Sequence, residues 1–122
     1  MQIFIVEDSA PVRQRLEAML AAIPGVSILG SASGARQAID AILAGRPEIV
    51  ILDVNLAQGS GFDVLRELNA RAPQIEVYVL SNYSAHAYRR LAEKLGVRGY
   101  FDKSREFERV RDVVASRAQS QH

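Results

Sequence analysis

The stretch Glu48-Ile49-Val50-Ile51-Leu52-Asp53 sets four consecutive apolar residues between two acids. A run this short and this uniformly apolar fits a strand covered on both faces. Its last residue, Asp53, puts a carboxylate at the strand's carboxyl end. The same pattern recurs: Ile3-Phe4-Ile5-Val6 closes on Glu7-Asp8, Val77-Tyr78-Val79-Leu80 closes on Ser81, and Gly99-Tyr100-Phe101-Asp102 runs into Lys103. In open parallel sheets the carboxyl ends of the strands converge on one crevice. These termini predict a crevice holding three acids, a hydroxyl and an ammonium. That is the chemistry of a divalent cation and a phosphoryl group.

Between the apolar runs lie amphipathic segments. Strands are expected at about 2–7, 27–32, 49–52, 75–80 and 98–101. Helices are expected at about 10–23, 35–44, 61–71, 85–95 and from Ser104 to about 117. Val12, Leu16, Met19, Leu20 and Ile23 fall on one face of the first helix, which Ser9 or Asp8 caps and Pro24-Gly25 ends. Ser84 is the expected cap of the fourth helix and Gly96 its stop. Strict alternation of strand and helix implies a parallel sheet with helices on both faces.

The chain has 122 residues, the size of one domain, and no cysteine, so disulfides, thiolate zinc sites and cysteine nucleophiles are excluded. That composition suits a reducing cytosol, and a cytoplasmic location is expected. No apolar stretch approaches the ~18 residues of a membrane span. Charge is unevenly spread: residues 1–82 carry net −3 and residues 83–122 net +4. The basic excess suits either solvated helix faces or steering of an acidic partner.

The ordered set Glu7, Asp8, Asp53, Ser81, Tyr100 and Lys103, with Gly61 eight residues beyond Asp53, resembles the response-regulator receiver family of two-component signalling. The resemblance runs from about Gln2 to about Val114. It implies a flavodoxin-like doubly wound (βα)5 α/β fold, with a five-stranded parallel sheet ordered 2-1-3-4-5, as right-handed crossovers also favour. A receiver domain over residues 1–118 and a polar tail over 119–122 are expected. The resemblance implies that Asp53 is the phosphoacceptor. Asp8, Asp53 and the Asn55 backbone carbonyl would ligate Mg²⁺, with Glu7 acting through water. Lys103 and Ser81 would hold phosphoryl oxygens, and Lys103 would pair with Asp53 beforehand. Ser81 and Tyr100 would form a switch in which the ring moves inward and remodels the surface of the fourth helix, fifth strand and fifth helix. Arg89, Arg90, Lys94, Arg98 and Arg105 would lie on or near that surface.

The expected role is therefore a signalling phosphoacceptor that assists its own phosphotransfer and dephosphorylation, not a free-standing enzyme. The donor would be a histidine kinase or histidine phosphotransfer protein. The recipient would be an output domain, a protein target or a phosphorylation-dependent homodimer. Neither a membrane role nor direct nucleic-acid binding is expected of this domain, since no helix-turn-helix pattern follows the last helix. Such a receiver can stand free or form half of a DNA-binding regulator.

Several positions depart from the family pattern. Ala57 and Ser104 stand where proline is usual, and a trans Lys103–Ser104 bond is expected because a cis one costs about 2.5–4 kcal/mol. Asn82 and Tyr83 are bulky beside the acceptor and would narrow access to an acyl phosphate. His86 and His122 read as solvated surface. Competing readings are a Mg²⁺ phosphohydrolase, disfavoured because Asn55 stands where a second acid is needed, and a phosphate-independent interaction module. A flavin-binding reading is weaker, since no phosphate-binding loop follows the first strand.

Overall fold

Successive residues of a strand point to opposite faces, and that alternation decides what each helix covers. The computed structural model describes residues 1–83 and 85–120. The elements are β1 (Gln2–Val6), α1 (Ala10–Ala21), β2 (Ser27–Ala32), α2 (Ala35–Gly45), β3 (Ile49–Leu52), α3 (Gly61–Arg71), β4 (Glu76–Ser81), α4 (His86–Lys94), β5 (Gly99–Asp102) and α5 (Phe107–Ser120). All strand pairs are parallel, in the order β2-β1-β3-β4-β5. This is the doubly wound arrangement that the alternation implies.

On one face Ile3, Ile5, Ile49, Ile51 and Leu80 pack with Leu16 and Leu20 of α1 and Val110 and Val114 of α5. On the other, Phe4, Val6, Val50, Leu52 and Val79 pack with Ala38 and Ile42 of α2 and Leu65 and Leu68 of α3. Each fully buried aliphatic side chain contributes about 1.5–3 kcal/mol relative to exposure. The central strands are thereby pinned from both sides, and backbone bonds carry the order one residue past their ends. The Glu7 N–H donates to the Ala32 carbonyl (3.0 Å), the Asp53 N–H to Val6 (3.0 Å) and the Lys103 N–H to Ser81 (2.9 Å).

The boundaries differ from expectation where a local hydrogen bond wins over periodicity. Helix α1 ends at Ala21 rather than near 23, because the Ile23 N–H turns back to the Leu20 carbonyl and Gly25 adopts φ 85°. β1 stops at Val6, while β4 and β5 each sit one residue later than expected, so that Ser81 closes β4 from within.

The last helix departs most. Ser104 does not cap it: the Asp102 Oδ1 accepts from the Ser104 N–H (2.9 Å), the Ser104 hydroxyl (2.7 Å) and the Arg105 N–H (3.0 Å). A carboxylate can accept several bonds at once, so Asp102 builds a turn there and the helix begins at Phe107. It continues through Ser120, so residues 119 and 120 belong to α5 rather than to a tail. Ser84, the expected cap of α4, and His122 lie outside the described residues. No described peptide bond is cis, and Lys103–Ser104 is trans as expected.

At the foot of the sheet, opposite the crevice, Glu76 is buried. Arg117 of α5 grips it through Nε to Oε1 (2.9 Å) and Nη2 to Oε2 (2.5 Å), and the Tyr78 hydroxyl donates to Oε1 (3.2 Å). Arg98, half-exposed just before β5, stands 3.9 Å away. The hydrogen bond from Arg117 holds the Glu76 carboxyl below its ordinary 4.5, against the opposing effect of burial. A depressed folded-state pKa stabilises the fold above the unfolded value, and that contribution is lost as pH falls through the folded one. Glu76→Gln should therefore lower the urea midpoint at neutral pH and flatten its decline in acid. Unfolding curves from neutral pH down through the carboxylate range check this; an acid limb as steep as wild type would assign the loss to other groups.

Candidate functional site

The register of the sheet brings the polar strand ends together. Val6 lies beside Leu52, Leu52 beside Val79, and Ser81 beside Asp102, so the residues just beyond them crowd one rim. Glu7 is 1% exposed, Asp53 6% and Ser81 0%. Between the two carboxylates sits the Lys103 ammonium, with Nζ 2.8 Å from Glu7 Oε1 and 2.9 Å from Asp53 Oδ2. The second oxygen of Glu7 accepts from the Ser9 N–H (3.0 Å), and Asp53 Oδ1 accepts from the Asn55 N–H (3.2 Å).

The direct Glu7–Lys103 bond is not legible from sequence, which pairs Lys103 with Asp53 alone. It has electrostatic consequences. Burial drives the Glu7 carboxyl above its ordinary 4.5, although Lys103 and the Ser9 N–H oppose the shift. Burial works against the Lys103 ammonium, but the hydrogen bonds to Glu7 and Asp53 outweigh it and hold that pKa above 10.5. Lys103 is therefore a fixed positive charge at neutral pH.

Asp8 is exposed, and its alternative employment is taken: Ser9 caps α1, its hydroxyl accepting from the Val12 N–H (3.4 Å). Glu7, Asp8 and Asp53 each offer one oxygen within 4.8 Å of the others. Opposite ligands of an octahedral Mg²⁺, each at ~2.0–2.1 Å, lie about 4 Å apart. All-oxygen donors gathered this closely suit a hard cation, so the donor set fits Mg²⁺ chemically.

Ser81 and Tyr100 share Tyr83 as a backbone partner, and the Ser81 side chain also stands close enough to the Tyr100 hydroxyl to lower its pKa against the effect of burial. Ser81 Oγ accepts from the Tyr83 N–H (3.0 Å), and the Tyr100 hydroxyl donates to the Tyr83 carbonyl. The Tyr83 backbone thus connects the two. Tyr100 itself is buried, and that burial raises its hydroxyl pKa above 10.0. The Ser81 hydroxyl accepts from Tyr83 and still carries a proton to donate.

A second unforeseen feature borders the acids. The rings of Phe62 and Tyr88 stack at 6.0 Å between centroids, and Tyr83 meets Tyr88 edge-on at 5.7 Å. With Val54, Asn55 and Ser60 they line a cavity of about 260 Å³. A capping box begins α3 beneath them: Ser60 Oγ accepts from the Phe62 N–H (3.1 Å) and the Asp63 carboxylate from the Ser60 N–H (3.2 Å). The Ser60-x-x-Asp63 spacing was the available sequence signal. A larger depression of about 470 Å³, between α2 and residues 57–59, touches none of the strand-end residues. His86 is exposed and stands apart from the acids.

A family model described as the response regulator receiver domain matches residues 3–115. The chain belongs to that family. This receiver is 32% identical over 121 residues to the DNA-binding transcriptional activator DevR/DosR of Mycobacterium tuberculosis, covering 96% of the chain and 56% of the activator. It is 33% identical over 94 residues to a protein-glutamate methylesterase/protein-glutamine glutaminase of Carboxydothermus hydrogenoformans, covering 77% of the chain and 27% of that enzyme. The receiver spans about half the length of the first relative and about a quarter of the second. Its fold matches a DNA-binding response regulator of the LuxR family from Staphylococcus aureus, with TM-score 0.86, 23% identity, and 96% and 97% of the two chains covered.

The close approach of Gly61 to the Asp53 loop gives a stringent test of the geometry. A Cβ at Gly61 would fall 2.3 Å from the Asp53 carbonyl oxygen and 2.6 Å from the Val54 Cα. Both obstacles are backbone, so the loop must move. Gly61→Ala should cost about 1–3 kcal/mol in denaturant unfolding, the range for overpacking, and should weaken divalent-cation binding. A variant as stable as wild type would mean that α3 and the Asp53 loop separate freely.

Proposed function

We propose that Asp53 is the phosphoacceptor of this receiver and that the switch leaves the molecule through Tyr83 and Tyr100. The observation that carries the reading is the buried Lys103 ammonium held between Glu7 and Asp53, beside the exposed carboxylate of Asp8. One Asp53 oxygen attacks phosphorus and forms an acyl phosphate, while the nitrogen–phosphorus bond of a donor phosphohistidine breaks and the imidazole departs. The donor is a histidine kinase or histidine phosphotransfer protein. Lys103 and the Ser81 hydroxyl are placed to receive phosphoryl oxygens, so catalysis is positioning and charge compensation.

Asp8, Asp53 and the Asn55 carbonyl would hold Mg²⁺, with Glu7 supporting it through water, and the ion would neutralise charge on the transferring group. Asn82 and Tyr83 are exposed at the rim, where their bulk restrains hydrolytic water. Once a phosphoryl oxygen takes the Ser81 hydroxyl, the Tyr83 peptide and the Tyr100 ring feel the change. The face formed by α4, β5 and α5 then alters its affinity for an output domain, a protein target or a second copy. A coupling of about 1–3 kcal/mol is the reasonable scale for such a shift. The site is expected to work in the cytoplasm.

Treatment with Mg²⁺ and acetyl phosphate should add one labile phosphoryl group by intact mass, absent in Asp53→Asn and absent with chelator. An adduct that survives Asp53→Asn would move the nucleophile elsewhere.

Asp8→Ala removes a ligand and relieves repulsion among the acids at once. Its Mg²⁺ affinity should fall by more than the about 10–100-fold typical of losing an outer-sphere support. Its melting temperature without Mg²⁺ should equal or exceed that of wild type. Calorimetric titration and thermal unfolding measure the two effects, and unchanged affinity would remove Asp8 from the ligand set.

A further inference from the structure

Helix α4 is the least anchored helix of the described fold. Ala92 is its only buried residue, and among the described residues no side chain caps its first turn. By contrast α5 buries Phe107, Val110, Val114 and Ala118. The rest of its apolar anchoring is partial, with Leu91 against the core and Tyr88 stacked on Phe62, so a polar contact contributes more. Arg89 makes three. Its Nη1 donates to the Tyr100 carbonyl (3.0 Å), its guanidinium carbon stands 4.8 Å from the centroid of the Tyr100 ring, and its Nη2 lies 3.7 Å from Glu106 Oε1.

Each contact lands on the switch or its support. β5 is an edge strand, so the donor to Tyr100 comes from a helix and not from another strand. The same Glu106 oxygen accepts from the Asp102 N–H (3.0 Å), one residue before Lys103. That bond is the first cause holding the Glu106 carboxyl below its ordinary 4.5, so it faces Arg89 as an anion. A planar guanidinium can hold a carbonyl, a ring face and a carboxylate together; a compact ammonium cannot.

We propose that Arg89 is a positioning residue of the switch, tying α4 to the backbone and ring of Tyr100 and to Glu106, so that α4 and the inward Tyr100 move as one body. The coupled movement rests on the reading of Asp53 as acceptor; the anchoring of α4 does not. Ordinary exposed ion pairs contribute little, but Arg89 is two-thirds covered and its partners lie on two other elements. The change at Ser81 then reaches α4 twice: along the chain from Tyr83, and across from Tyr100 through this guanidinium.

Hydrogen exchange on the full chain, with and without Mg²⁺ and beryllofluoride as the acyl-phosphate analogue, tests this in Arg89→Met and Arg89→Lys. In Arg89→Met without the analogue, amides of residues 86–94 should exchange roughly 5–10-fold faster, with those of β1 and β3 unchanged, as for a local opening. Asp53 phosphorylation by acetyl phosphate should stay within about twofold of wild type, since the two sites share no partner. Protection of α4 by the analogue should be lost, and Arg89→Lys should not restore it. Wild-type exchange of α4 in Arg89→Met, or full restoration by lysine, would overturn the proposal. Should wild type bind no beryllofluoride, the acceptor reading and the coupled movement fail, while the analogue-free exchange still decides whether Arg89 anchors α4.

Discussion

A single ammonium between two buried carboxylates governs the upper rim of this sheet. Lys103 lies within 2.9 Å of both Glu7 and Asp53, which are separated by 46 positions and follow different strands. Taking three charges out of water costs several kcal/mol per ion, and close, hydrogen-bonded pairing is what makes the arrangement tolerable. One cation cannot balance the set, however: with Asp8 there are three acids against one lysine. The raised pKa of Glu7 expresses mainly its burial, to which repulsion from Asp53 adds. A divalent cation would complement these charges, and any ion bound there would link its binding to folding stability.

The fold was legible because its strands are covered twice. Ile49–Leu52 is wholly buried, and such strands announce themselves as unbroken apolar runs. Once their ends are located, Asp53, Ser81 and Lys103 follow by position alone. What stayed hidden depends on contacts between distant segments or on competition between neighbours. Nothing in the spacing of Glu7 and Lys103 says that they touch. Ser104 has the chemistry of a helix cap, yet Asp102 two residues earlier claims it. The aromatic group of Phe62, Tyr83 and Tyr88 joins the start of α3 to the start of α4, and each ring read singly is unremarkable surface or core.

The Ser81–Tyr100 relation changes character in the structure. At their fixed spacing the two read as a switch in which the ring follows Ser81. The structure adds the peptide groups of Tyr83 beside them, which donate to one and accept from the other. A displacement of Ser81 therefore acts on backbone as well as on the ring. Backbone is the better transmitter, because its movement carries the residues leading into α4 along with it.

Where that movement can go is limited by β4 itself. Every residue from Glu76 to Ser81 is buried, and the strand lies between β3 and β5. Its foot is clasped by Arg117, which also fixes the far end of α5. Close-packed interiors do not deform continuously, so a perturbation at the rim is passed to whatever is least constrained. On one side stand β3 and the doubly packed core; on the other stand an edge strand and a helix with one buried residue. A perturbation at the rim would therefore be directed toward α4 and β5, because the rest of the sheet has no room to yield.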